Sequence, residues 1–254
     1  ARSDPMTRDW TSSAIRRCLA EMLVHFPVYR TYADGRGRSQ ADAEIMARVI
    51  AQAQRTCRPG ERRLLELIDV WLGGEPAQRQ LGAGARRDRL RALARFQQLT
   101  SPVAAKSVED TAFYRFGVLL SRNEVGANPG QFSMRRAEFH RACGLRYRRY
   151  PAAMLATATH DHKRGEDLRA RLAVLSEIPD MWTAQVTGWR RCNELLKAEV
   201  DGVRGPDSTD EYVLYQMLGG AWPLTLSSRN PLGLEDLCER LRAWQRKAVR
   251  EAKR

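Results

Sequence analysis

The residues in this chain best suited to chemistry lie together in the stretch Thr157-Ala158-Thr159-His160-Asp161-His162-Lys163-Arg164-Gly165-Glu166-Asp167. A histidine beside a carboxylate can donate a hydrogen bond and place negative charge at one point. The flanking Lys163 and Arg164 can grip hydroxyls or anions. The stretch directly follows Ala152 to Ala158, a short and mostly apolar run bounded by Pro151. Such a run reads as a buried strand of a parallel sheet or barrel, although its length does not exclude a helix. If it is a barrel strand, Asp161 lies just past its C-terminal end, where active-site side chains project. A plainer reading stands beside this one: Asp161 caps the helix that follows, and His160 is a satisfied loop histidine.

A second set of polar residues precedes it: Lys106, Glu109-Asp110, Tyr114-Arg115 and Asn123-Glu124. Carboxylates and amides there can bind the hydroxyl groups of a ligand, and an aromatic ring can stack on a flat apolar face. Equally, the set can be a structural network that fixes a loop marked by Gly126, Pro129 and Gly130. Glu109, Tyr114 and Arg115 are the better contact candidates. Arg169 and Arg171 are expected to pair with Glu166 and Asp167 on one helix.

The elements that must position these groups are mainly helical. Ile15, Cys18, Leu19, Met22, Leu23 and Phe26 form one apolar stripe, with Ser12 or Ser13 at its start and Pro27 at its end. A second helix starts at Ser39 and turns Ile45, Val49 and Ile50 inward. A third carries Leu64, Leu65, Ile68, Trp71 and Leu72 and ends at Gly73-Gly74-Glu75-Pro76, with a further loop at Gly82 to Gly84. A fourth carries Leu90, Leu93 and Phe96. Periodicity weakens from Thr100 to Pro151. It returns with Leu168, Leu172 and Leu175, with Trp182, Val186 and Trp189, with Tyr212, Leu214, Tyr215 and Leu218, and in a terminal basic helix through Leu237 and Trp244.

Composition narrows the function classes. The 254 residues carry a net charge of +13, yet only five of the 43 basic residues are lysine and the rest are arginine. These arginines are interleaved with acids throughout, as on solvated helix faces, and none of the sequence patterns of nucleic-acid binding is present. No apolar run approaches a membrane span. The polar start, Ala1 to Trp10, gives no reason to expect a secretory signal. The five scattered cysteines fit neither a disulfide framework nor a zinc site and read as small buried hydrophobes. The expectation is a soluble, cytoplasmic protein with no cofactor, no membrane and no nucleic-acid partner.

Longer blocks carry a resemblance. Met154-Leu155-Ala156-Thr157-Ala158-Thr159-His160-Asp161 with Lys163 to Arg171, Pro102 to Arg115, Asn123-Glu124-Val125-Gly126, and Phe26-Pro27-Val28-Tyr29-Arg30-Thr31-Tyr32 resemble, in order, maltooligosyltrehalose synthases of the α-amylase superfamily. His162, Asn128 and Ser107 depart from the family's usual threonine, aspartate and glycine. The resemblance implies an intramolecular transglycosylase that turns the reducing-end α-1,4 bond of a maltooligosaccharide into an α,α-1,1 bond. By this match Asp161 is the third carboxylate of the family site, which steadies the flattening sugar, and His160 binds in the same subsite. Lys163 and Arg164, directly after Asp161, are the expected contacts to the reducing-end sugar.

The nucleophile and acid of that family lie on earlier barrel strands, in an Arg-x-Asp motif and a later Glu. Arg86-Arg87-Asp88 has the spacing but sits in an arginine-rich helical segment, so it reads as a solvated face. The expected architecture is therefore mainly α: helical insertions flanking a short (β/α)-barrel segment whose remaining strands are supplied by another part of the same enzyme. The divisions are 1–100 helical, 101–165 barrel-associated with the His-Asp motif, and 166–254 helical. On this reading the chain alone is inactive. A non-catalytic helical interaction or oligosaccharide-binding module is the alternative, and a basic nucleic-acid-binding protein is a weaker one.

Overall fold

A computed structural model describes residues 7–77, 82–128 and 130–254. Pro129 and the first six residues of the polar start, which the sequence analysis singles out, lie outside these. The chain divides into two compact units, Ala1–Ser107 and Val108–Arg254. No helix among the described residues is long and apolar enough to cross a membrane.

The first unit is a four-helix cluster. Helix α1 (Ser12–Val24) starts at Thr11, whose hydroxyl accepts from the Ala14 N–H at 3.2 Å, one residue before the serines expected to cap it. Helix α2 (Gln40–Thr56) starts at Ser39 as its sequence suggests, the hydroxyl accepting from Asp42 N–H at 3.1 Å. Asp42 does not close a capping box; its carboxylate accepts from Tyr32 N–H. Helix α3 (Arg62–Asp69) buries Leu64, Leu65 and Ile68 and ends in a π-helical turn, Val70–Gly74. Gly73 there has φ of +103°, a region costly for any residue with a Cβ. Helix α4 (Ala83–Ala104) packs Leu93 and Phe96 onto the same core and runs on through Pro102.

The stripes read from the sequence are the core. Cys18, Met22, Val49, Ala53, Leu64 and Leu65 have no solvent exposure, and each aliphatic side chain so buried stabilises the unit by about 1.5–3 kcal/mol. Gln97 adds a polar clamp inside it. Its Oε1 accepts from Ala33 N–H at 2.7 Å and its Nε2 donates to Ala33 O at 3.0 Å, satisfying an extended segment as a strand neighbour would.

A π-helical stretch, Ala105–Ala112, begins in the first unit, continues into the second and leads into the single turn α5 (Phe113–Arg115). Then follow α6 (Arg136–Arg149), α7 (Glu166–Val174), α8 (Pro179–Asn193), a hairpin of β1 (Ala198–Val200) and β2 (Val203–Gly205), α9 (Ser208–Ala221) and α10 (Pro231–Glu251). Leu120, Leu172, Val213 and Met217 form the core, with Leu168, Leu175, Leu241 and Trp244 against it. Gln216, fully buried, ties α9 to the segment before it: Leu120 N–H donates to Oε1 at 2.8 Å and Nε2 donates to Gly117 O at 2.7 Å.

Several expectations need correction. The molecule is mainly helical, but Met154 to Thr157 is not a strand. The run has no regular structure and is unpaired, with Met154 98% and Leu155 74% exposed. A parallel strand exists only through neighbours that satisfy its backbone, and the only strands among the described residues are β1 and β2, antiparallel to each other. Much of the expected irregular middle is helical: α6 has no buried residue, so it left no apolar stripe to read. Cys18 is buried as expected, but Cys192 and Cys238 are exposed; all five cysteines are free.

Arg169 and Arg171 do not pair with Glu166 and Asp167. Arg169 donates to Thr157 O, and Arg171 Nη1 donates to Gly220 O at 3.3 Å and Trp222 O at 2.7 Å. Backbone carbonyls left without helix or sheet partners compete well for a guanidinium fork.

Candidate functional site

His160 and Asp161 occupy the corner of a turn. His162 N–H donates to Thr159 O at 3.1 Å, and the His162 Nδ1 accepts from Thr159 N–H at 2.9 Å, so residue 162 locks the turn with both backbone and ring. The corner side chains point to solvent. His160 Nε2 stands 3.5 Å from Asp161 Oδ2, with the two side chains 91% and 65% exposed. So exposed a pair contributes little to stability. Nor does Asp161 cap a helix: the N-cap of α7 is Gly165, four residues later. The plainer reading of Asp161 therefore loses its structural basis.

The residues that follow turn inward and fasten the corner. Lys163 Nζ meets Asp110 Oδ1 at 2.7 Å, and Lys163 N–H donates to Glu124 Oε2 at 2.7 Å. Burial works against the Lys163 ammonium, but the hydrogen bond and charge of Asp110 outweigh it and hold its pKa above the ordinary lysine value. The Arg164 side chain is 2% exposed. Its Nη1 donates to Asn123 O at 3.1 Å and lies 3.3 Å from Glu124 Oε1, and its Nε faces Met217 Sδ at 3.4 Å. Burial lowers the Arg164 pKa, opposed chiefly by the charge of Glu124. The Glu124 carboxylate thus holds two consecutive residues just beyond the corner.

The other candidates are placed as follows. Glu109 is 7% exposed and Tyr114 8% exposed; burial pushes the Tyr114 phenol above its usual pKa, with Arg164 and Lys163 pulling it back. Arg115 donates through Nε to Ala252 O at 2.5 Å and through Nη2 to Lys253 O at 3.3 Å, at the end of α10. Asn123 Nδ2 donates to Phe113 O at 3.0 Å and to Phe116 O, tying α5 to the loop that carries Glu124. The structure therefore joins Lys163, Arg164, Asp110, Asn123 and Glu124 in one network behind the His160-Asp161 corner. The anchoring by Asp110 and Glu124 was not assigned from sequence, because partners 39 to 53 residues apart leave no local pattern. Arg86, Arg87 and Asp88 are exposed on α4. Among the described residues no group of three His, Cys, Asp or Glu side chains is placed to hold a metal ion.

No family model matches the chain. Two curated Mycobacterium tuberculosis proteins, from strains CDC 1551 and H37Rv and named as maltooligosyl trehalose synthases, are each 35% identical over 239 residues, covering 92% of this chain and 26% of their own length. The solved maltooligosyltrehalose synthase of Arthrobacter ramosus superposes with a TM-score of 0.69 at 32% identity, covering 94% of this chain and 26% of that one. Another solved maltooligosyl trehalose synthase, 23% identical with a TM-score of 0.53, shares the fold. The helical fold and the sequence thus place the chain beside one class of protein, the one these relatives share. Within that class the chain is a relative of the maltooligosyltrehalose synthases, and it spans about a quarter of the length of those it matches.

Proposed function

We propose that this chain is the part of an intramolecular transglycosylase that presents the third carboxylate, Asp161, to the reducing-end glucose of a maltooligosaccharide. One observation carries this reading. The Asp161 and His160 side chains face outward from a corner whose every neighbour is tied down, by His162, by Asp110 and by Glu124. A rigid frame holding exposed polar groups suits a site that must be aligned before its substrate arrives. The bare Met154-Leu155 run just before it supports the further proposal that barrel strands elsewhere in the enzyme pack there, bringing the nucleophile and the acid.

In such a reaction one carboxylate attacks the anomeric carbon while a second protonates the departing oxygen. The released glucose then attacks the intermediate through its own anomeric hydroxyl, with retention. Asp161 forms no bond to carbon. Its hydrogen bonds to ring hydroxyls tighten as positive charge develops, which lowers the barrier without tightening ground-state binding.

The test exchanges this segment into the Arthrobacter ramosus enzyme in place of its counterpart and follows trehalose-ended product from maltopentaose. The expected result is turnover by the chimera and a fall in kcat of about 10²-fold or more with Asp161→Asn, at little change in substrate binding. That fall is roughly 2.7 kcal/mol of barrier, at about 1.36 kcal/mol per tenfold. A chimera whose Asp161→Asn variant keeps near-normal kcat overturns the assignment.

A further inference from the structure

The second unit holds two contiguous cavities, about 490 Å³ and 250 Å³, that share Val118 and Tyr212 as a common wall. Neither is lined by His160, Asp161 or Lys163. Their walls come from the 115–119 segment, α8 and the start of α9. The larger lies within the range of small-ligand sites, roughly 300–1,000 Å³. We propose that this double groove is a second saccharide-binding site, taking a short α-linked glucan away from the His-Asp corner. The choice of an α-glucan rests on the function proposed above; the choice of a saccharide rests on the groove.

A sugar ring offers an apolar face of C–H groups and a rim of hydroxyls, so a site for it needs flat rings and small donors and acceptors side by side. The groove supplies both. Phe116 and Phe132 are 42% and 60% exposed, and Trp182 and Tyr212 are half-buried at the junction. Hydroxyls of Thr183, Ser208 and Thr209 stand along the same walls. The Trp182 indole N–H donates to Tyr212 Oη at 3.0 Å, which leaves the phenol its own proton to donate.

The platform is also fixed in advance. Trp182 packs edge-on to Trp189 at 5.6 Å between centroids, and Trp189 packs against Tyr215 at 5.3 Å. The opposite wall is pinned where Gln216 Nε2 donates to Gly117 O and Asn123 Nδ2 donates to Phe116 O. Gly117 sits so close to α9 that a Cβ there would come within 2.7 Å of Val213 Cγ2. Rings already held in place add little ordering cost on binding.

The charges argue against an anion. Arg190 donates to Ser208 O at 2.9 Å and stands 3.4 Å from the buried carboxylate of Glu211, and Arg115 is engaged by the α10 carbonyls. The Arg190 charge is thus matched by a carboxylate, and the Arg115 donors are occupied by carbonyls. A neutral, hydroxyl-rich ligand fits that balance better than a phosphate or a nucleic acid.

Titration of the full 254-residue chain with maltopentaose, read by tryptophan fluorescence and calorimetry, tests the site. Saturable binding is expected, weakened about tenfold or more by Trp182→Ala and several-fold by Phe116→Ser, and restored in large part by Trp182→Phe. Asp161→Asn should leave it unchanged. Circular dichroism confirms that each variant is folded; should Trp182→Ala fail to fold, the exposed Phe116→Ser decides alone. Absence of saturable binding, or binding indifferent to both groove variants, overturns the proposal. Binding lost in Asp161→Asn but kept in Phe116→Ser overturns the groove, and with it the view that Asp161 acts on rate alone. Equal affinity for cellopentaose overturns the α-glucan assignment. The turnover of the chimera reports separately on the function itself.

Discussion

Asp161 and Glu124 show two uses of one functional group. Asp161 stands in water with its charge unspent, whereas Glu124, 3% exposed, spends its charge on Arg164 and on the Lys163 amide. Removing one partner of a buried ion pair leaves the other charged and unpaired, at about 3–5 kcal/mol. Glu124→Gln is therefore expected to destabilise the second unit by about 3 kcal/mol in urea unfolding, and a loss below about 0.5 kcal/mol would show the pair to be dispensable. The Asp161→Asn change, one atom different in kind, should leave the same curve unmoved and act on rate alone. Among the nucleophiles, Cys18 is the clearest case: burial first, then the charge of Glu61, pushes its thiol up to about 11. Because the folded state holds the proton more tightly than the unfolded chain, its contribution is complete below the unfolded thiol pKa and declines as pH rises from about 9 to about 11. At pH 8 iodoacetamide should modify Cys192 and Cys238, both exposed, and spare Cys18 until the chain unfolds, as peptide mass spectrometry can show.

At the level of elements, the legibility of the sequence follows burial. Helices α1 to α4 and α7 to α10 carry apolar residues that a core selects, so Leu64-Leu65-Ile68 and Leu168-Leu172 were readable at helical spacing. Helix α6 fully buries none of its side chains, so Arg136–Arg149 shows no apolar stripe to mark a helix face. The hairpin was legible and passed over: Asp201-Gly202, with φ of 51° and 76°, is the two-residue turn that pairs Val200 with Val203. The strand expected within Ala152 to Ala158 is absent, because its apolar content was legible but no partner for its backbone lies among the described residues. The candidate pair, His160 and Asp161, was visible as types and spacing. Its anchors were not, because Glu124 and Arg164 meet only through the fold. Glycine punctuation was dependable where backbone geometry demanded it. Gly73, at φ +103°, would place a Cβ 3.0 Å from that of Ala33. Gly73→Ala should lower the stability of the first unit by about 1–3 kcal/mol, measured by thermal unfolding; an unchanged midpoint would mean the π-helical turn relaxes freely.

Across the whole chain the arginine excess finds an internal use. Arg38, Arg89, Arg115, Arg164, Arg169, Arg171, Arg190 and Arg204 all donate to main-chain carbonyls of turns and helix ends. With one small hairpin among the described residues and many irregular connections, the guanidinium satisfies carbonyls that a sheet ladder would otherwise pair, which lysine's single ammonium cannot copy. The Met154-Leu155 run is the counter-case, apolar and left outside. Met154→Glu should leave the unfolding free energy of the 254-residue chain within about 0.5 kcal/mol of the parent, as for any fully exposed site. In the chimeric synthase the same change should depress folded yield, if strands of the barrel cover that position; equal yields would show that nothing packs there. Met154 and Leu155 hold two neighbouring apolar side chains in water, 98% and 74% exposed. The isolated 254-residue chain is therefore expected to self-associate at rising concentration more readily than its Met154→Glu variant, which light scattering can compare.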